Sequence, residues 1–306
     1  MANLDESLQR EYIRTNRKGA YSSSTIVGCN TRKYHGLLVV PIPELGDQNR
    51  VLLSSLDLTI IQHGAEFNVA VHHYKGGVIS PNGHKYIREY NVDIIPATIF
   101  RVGGVVLKRE QVFCHYINRA IFKYTLMEAH SDTLLRFRPL LAFRSVAALT
   151  HENGQIERGH IPARNGIGIS LYKGYPHLFM QFSKEPEYRE EGYWYKDFEY
   201  PKEKERGYEC TEDLYMPGTF EIPIKKGESI YFAAGLEEAN PNTLRTTFVK
   251  EVRERIPRED FFSCLRNAAH QLYYRPTPDD GYLLAGYPWF DVRARDLFVA
   301  LPRCTL

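Results

Sequence analysis

Near the C-terminal end of this chain Tyr287, Trp289 and Phe290 stand beside Asp291, Arg293, Arg295 and Asp296, ahead of an apolar run. Sugar binding needs this mixture: ring faces stack on C–H faces, while carboxylate and guanidinium groups form charge-assisted bonds with vicinal hydroxyls. An aromatic plug with a structural Arg–Asp pair would use the same residues, and local chemistry leaves the two readings level. A second dense stretch spans residues 15–39. Within it Asn30, Arg32, Tyr34 and His35 bring polar side chains to the entry of an apolar strand at 37–40. There they either meet a ligand or tie down neighbouring loops.

Other chemistries find no support in the residue pattern. Gly19, Gly28 and Gly36 punctuate the first stretch, but GxGxxG and GxxxxGK[ST] are absent and no helix start follows, so no nucleotide site is expected. His72 and His73 are adjacent, with His84 beyond a glycine turn. Neighbouring strand residues face opposite sides, so no metal site is expected from them. GxSxG and HExxH are also absent, and no cysteine has a local base. No catalytic residue is therefore assigned in this chain, and no cofactor is expected.

The elements that must position these residues read mostly as strands. Segments 51–61, 98–102, 105–113, 120–126, 134–140 and 229–233 alternate or are β-branched, with turn signals such as Gly76-Gly77, Gly103-Gly104 and Asn153-Gly154 between them. Many strands without intervening helices predict a mainly β fold, a large antiparallel β-sandwich over residues 1–238. Beyond Asn240-Pro241 the period changes: Leu244, Phe248, Val252 and Ile256 share one helix face, and Phe261, Phe262, Leu265, Ala268, Ala269 and Leu272 mark another. Residues 239–280 thus read as a helical linker, with 281–306 as the beginning of a further unit. Residues 183–213 hold eleven acidic, six basic and seven aromatic side chains. They read as a solvated loop pinned to the sandwich by aromatics, Trp194 among them, with a sugar-contacting flap as the alternative.

Composition narrows the partners. Thirty-nine basic against 37 acidic residues leave a net charge of +2 with no charged block, so neither nucleic acid nor an anionic membrane is an expected partner. No apolar run approaches a membrane span, the start is polar and acidic, and five cysteines without a CxxC pair read as reduced thiols. A cytoplasmic location is the expectation. Aromatic residues make up 13%, an excess suited to sheet packing and to sugar surfaces alike.

These residues carry a family resemblance. The opening run from Thr15-Asn16 through Gly19-Ala-Tyr-Ser-Ser-Ser-Thr25 to Gly28-Cys-Asn-Thr-Arg-Lys-Tyr-His-Gly-Leu-Leu-Val39 resembles bacterial and archaeal glycogen debranching enzymes, amylo-α-1,6-glucosidases. So do the closing Ala285-Gly-Tyr-Pro-Trp-Phe290 with Arg295-Asp-Leu-Phe-Val-Ala-Leu-Pro302, and the middle segments Pro139-Leu-Leu-Ala-Phe-Arg144 and Glu212-Asp-Leu-Tyr-Met-Pro-Gly218. The resemblance implies a supersandwich-like N-terminal domain, linker helices and, from residue 281, the beginning of an (α/α)6 catalytic barrel. It implies that Arg295 and Asp296 bind hydroxyls of glucose in the −1 subsite and that Trp289 and Tyr287 line the same pocket. Val292-Arg293-Ala294 departs from the Trp-Gly or Trp-Ala that usually precedes the Arg-Asp pair, and Arg17-Lys18 replaces a smaller pair. The implied partners are glycogen or another branched α-glucan and the chain's own catalytic barrel, which would supply both catalytic carboxylates. A noncatalytic glucan-binding or assembly module, or a glucoamylase-like enzyme for another α-glucoside, are the alternatives. An exposed stretch at 287–290 would be an apolar patch, so self-association is expected as one way of covering it.

Overall fold

The computed structural model describes residues 3–46 and 48–304, the side chains of 301–304 excepted. Strands account for 47% and helices for 16% of the chain, so the mainly β expectation holds. The first sheet has ten strands, and nine run in the order Glu11–Thr15, Tyr21–Thr25, Gly36–Val40, Arg50–Gln62, Thr133–Ser145, Thr211–Ile224, Glu187–Glu199, Val71–Tyr74 and Val78–Asn82. Ala65–Asn68 pairs separately with Arg50–Gln62. The second sheet has eight strands: His160–Ala163, Gly166–Ile169, Leu178–Phe182, Ser229–Gly235, Arg119–Glu128, Val105–Phe113, Ala97–Val102 and Ile87–Asn91. Pairing along the centre of each is antiparallel.

Aromatic contacts close the sandwich between the sheets. Phe137 of the first sheet meets Tyr124 and Phe182 of the second at 5.0 and 5.2 Å, and Phe182 meets Phe220 at 5.2 Å. Period-two alternation then decides what the other face carries. Leu38 and Val40 enter the inter-sheet core, whereas Val39 points outward and joins Tyr21, Val51, Leu140, Ala142, Leu214 and Met216 in a second apolar cluster. The first sheet is therefore apolar on both faces. Its outer face must be covered, and Tyr34 and Tyr287 pack there.

Residues 183–213 correct the sequence reading. They contain a strand, Glu187–Glu199, paired along its length with Thr211–Ile224, and a short helix, α2, at Pro201–Glu205; α1 is Leu4–Gln9. Two register shifts, between Glu190 and Tyr193 and between Tyr195 and Phe198, break the alternation that would have revealed the strand. Gly192 (φ +74°) and Asp197 (φ +62°) sit at these shifts.

Two helices form where the period changes after Asn240. α3, Leu244–Arg253, lays Leu244 and Phe248 on the outer face of the second sheet, with Phe248 5.6 Å from Tyr231. α4, Phe261–Gln271, starts in a capping box between Asp260 and Ser263 and docks on the first strand, where the Thr15 N–H donates to Gln271 Oε1 at 3.1 Å. The chain then forms a small antiparallel sheet, Tyr273–Tyr274, Tyr282–Gly286 and Phe290–Val292, followed by α5, Ala294–Cys304. A single helix does not make a barrel, and strands precede it. No helix among the described residues is long and apolar enough to cross a membrane.

Candidate binding cleft

The loop at 28–35 is fixed before it meets anything else. Thr25 Oγ1 donates to the Cys29 carbonyl and accepts from the Cys29 N–H at 2.8 and 3.1 Å, and the Asn30 amide donates to the Ser54 carbonyl at 3.1 Å. Asn30 thus ties down the loop. The Tyr21 hydroxyl donates to the Tyr34 carbonyl at 2.9 Å, setting the backbone that presents the Tyr34 ring.

Arg32 and His35 converge on Glu11 from one side. Arg32 Nε donates to Glu11 Oε1 at 2.8 Å, and His35 Nε2 lies 3.6 Å from Glu11 Oε2. The Thr31 N–H donates to His35 Nδ1 at 3.2 Å, which assigns the imidazole proton to Nε2, facing the carboxylate. Burial pushes the Glu11 carboxyl up, but His35 and Arg32 outweigh it and bring its pKa down to about 2. Burial pushes His35 down, so it is neutral at pH 7. His35 is 2% exposed and cannot reach a ligand; its sequence-expected binding role is replaced by a positioning one.

The two chemistry-bearing stretches, some 250 residues apart, meet across Arg32. Its guanidinium carbon lies 5.6 Å from the Trp289 ring centroid, and Tyr34 meets Trp289 edge-on at 5.9 Å. Tyr287 packs edge-on against Tyr21 at 5.6 Å with its hydroxyl buried and unpartnered. The Tyr34, Tyr287 and Trp289 rings border a cleft of about 520 Å³, a size usual for small-molecule sites, between the first sheet and the C-terminal small sheet. Trp289 and Phe290 leave 45% and 46% of their surfaces open. Lys18, Gln48, Asn49 and Asp291 give the lining its polar groups, and Tyr274 adds a ring. Gly19 closes one wall: at φ +88° it takes a backbone conformation that a side chain disfavours, and an added Cβ would meet Tyr274 at 3.5 Å.

Arg295 and Asp296 are not among the lining residues. They start α5, bonded to each other at 3.1 Å, with the Arg295 side chain 82% exposed. Another groove, about 400 Å³, borders His160, Tyr172, Tyr175 and His177 and holds none of the sequence-predicted residues. Lys18, Gln48, Asn49 and Tyr274 were missed because they reach the cleft from two separate loops and from the short strand Tyr273–Tyr274. Only the apolar alternation that turns the outer sheet face toward residue 287 could have hinted at them.

His72 and His73 take different partners: His72 Nε2 lies 2.8 Å from Asp57, while His73 Nδ1 is 3.5 Å from Glu199. A different set, His115, Glu251 and Glu254, brings ligand-type atoms within 4.8 Å of one another. Arg255 already supplies the cation there, with Nη2 2.9 Å from Glu251 and Nη1 2.8 Å from His115 Nε2. That contact makes Nε2 an acceptor and leaves the proton on Nδ1, the atom a metal would need.

The residues behind the middle motifs form a buried network. Arg144 makes a paired contact with Glu212, Nη2 to Oε2 at 2.8 Å; the Tyr200 hydroxyl donates to the same carboxylate, and the Thr150 N–H reaches it at 3.2 Å. Glu212 is fully buried.

Solved structures similar to this chain include a bacterial glucoamylase complexed with acarbose, at 8% identity and TM-score 0.43, covering 80% of this chain and 37% of that one. A heparan sulfate lyase from Pedobacter heparinus has 10% identity and TM-score 0.32, covering 64% and 31%. A family GH92 inverting mannosidase from Bacteroides thetaiotaomicron has 12% identity and TM-score 0.29, covering 79% and 30%. The chain thus spans about a third of each of those chains. No curated protein matches it. The family of glycogen debranching enzyme N-terminal domains matches residues 10–231, well over half of the chain, and the chain belongs to that family.

Proposed function

We propose that this chain is the glucan-positioning part of a debranching glycoside hydrolase that removes α-1,6-linked glucose at glycogen branch points with inversion, and that alone it hydrolyses nothing. The cleft carries this reading: an open tryptophan ring backed by a guanidinium, with tyrosines and amides around it, suits stacking on a pyranose and bonding to its hydroxyls. Inverting hydrolysis takes two carboxyls about 6.5–9.5 Å apart. Among the described lining residues Asp291 is the only carboxylate.

The second part of the reading is a helical catalytic barrel that begins at residue 281, takes in α5 and packs beside α4. Phe261, Phe262 and Leu265 of α4 are 78%, 68% and 51% exposed, and Phe298 and Val299 of α5 are 70% and 74% exposed. Apolar faces of this kind mark interaction surfaces. Inside such an assembly Arg295 and Asp296, at the start of α5, would turn to the glucose hydroxyls. The four described cysteines are free, which favours a reducing, cytoplasmic setting. Glucose release from a branched limit dextrin tests the reading: none is expected from this chain alone, and measurable release by it would overturn the division of labour.

A further inference from the structure

The groove of about 400 Å³ beside Tyr172 and Tyr175 lies at one end of the second sheet, where His160–Ala163 is the last strand. A tight turn presents the two tyrosines. The Tyr175 N–H donates to the Tyr172 carbonyl at 3.1 Å, and Gly174, at φ +89°, supplies the left-handed residue that such a turn needs in its third position. Ser170 Oγ is within hydrogen-bond reach of both tyrosine carbonyls, at 3.2 and 3.1 Å, and the Asn153 amide donates to the Tyr172 hydroxyl at 2.9 Å. Both rings pack against the sandwich core, Tyr175 5.5 Å from Phe143, and both border the groove. His160 is held by Tyr188, whose ring is 5.2 Å away, and by Glu190 at 3.5 Å.

The polar groups left open suit a sugar. Glu157 and Lys173 border the groove and are exposed, and among the described residues neither side chain has an ion-pair or hydrogen-bond partner. Tyrosine rings backed by a core offer stacking area, while an open carboxylate and an open ammonium bond to hydroxyls. Two connections also tie this groove to the Trp289 cleft. Gly174 lies against Leu45, where an added Cβ would meet Leu45 Cδ2 at 3.9 Å, and the connection that holds Leu45 carries Gln48 and Asn49 of the cleft. The other starts at Val146 and Ala147, which border the cleft, and continues through Asn153 to Glu157 at the groove. We propose that the groove is a second, noncatalytic α-glucan site, holding an outer chain of the same branched polymer whose branch point occupies the cleft; its substrate class rests on the debranching function proposed for this chain. The rim is open, with Ile161 40% exposed, so a short oligosaccharide gains little there. A branched polymer already held at the cleft gains far more, because its second contact is intramolecular.

Calorimetric titration of the chain with maltotetraose, beside co-sedimentation with glycogen, tests this. Tyr172→Ala should bind maltotetraose as the parent does and glycogen about 100-fold more weakly, the lower end of what linked sites add. Glu157→Ala with Lys173→Ala changes only exposed side chains and gives the same reading if Tyr172→Ala does not fold. Trp289→Ala, by contrast, should weaken the binding of both ligands. Glycogen affinity unchanged in the groove variants would overturn the second site and leave the cleft reading intact. Equal losses for maltotetraose and glycogen in those variants would also overturn it, as an effect passed to the cleft through packing. If the parent binds glycogen but not maltotetraose, and the groove variants lose glycogen, the groove stands as a glucan site and the cleft reading falls.

Discussion

Arg32 connects two roles at the level of single side chains, holding Glu11 with one nitrogen and lying over Trp289 with its face. Trp289 is the ring with the best combination of exposure and backing, so Trp289→Ala should weaken maltooligosaccharide binding by about 1–3 kcal/mol, roughly 5- to 150-fold, as base-stacking aromatics do elsewhere. Its Tm should stay near the parent's, because the ring is already 45% exposed; a large drop in Tm would show a plug rather than a sugar platform. Glu11 gives a pH signature. Its carboxyl sits at about 2 against the usual 4.5, so the stability it contributes is complete above about pH 4.5 and lost as pH falls toward 2. Glu11→Gln should flatten that limb of a Tm–pH curve, and an unchanged slope would contradict the pairing. Tyr34, Arg32 and Trp289 were legible from residue type and neighbourhood. His35 was not, since the burial that makes it a positioning residue depends on where Glu11 arrives.

Strands and their interruptions decide what lies behind the cleft. The Arg144–Glu212–Tyr200 network joins two strands of the first sheet to the residue that caps α2. Arg144→Met alone would strand a fully buried carboxylate and should cost about 3–5 kcal/mol in urea unfolding, whereas Arg144→Met with Glu212→Leu should recover most of that loss. A double variant as unstable as the single one would show that the network does more than compensate its own charges. The sandwich strands were readable from alternation, as at 105–113 and 120–126. Glu187–Glu199 was not, because two bulges shift its pattern and leave its charged side chains looking like a loop. The middle motifs were readable as a resemblance, but the sequence offered no sign that Arg144 and Glu212 pair with each other.

Across the whole molecule, one sheet with two apolar faces dictates the arrangement. Its inner face makes the sandwich core, and its outer face recruits the C-terminal small sheet, leaving the cleft at the seam. The exposed apolar residues of α4 and α5 remain to be covered. Sedimentation of the isolated chain should therefore reveal concentration-dependent self-association, lost in Phe262→Lys with Phe298→Lys; a monomer at all concentrations would argue against a docking face. The measurement that bears most directly on the cleft is calorimetric titration of the chain with maltotetraose, parent beside Trp289→Ala. Binding by the parent that is largely lost in the variant is the expected result. No binding, or binding indifferent to Trp289, would contradict a glucan-positioning cleft.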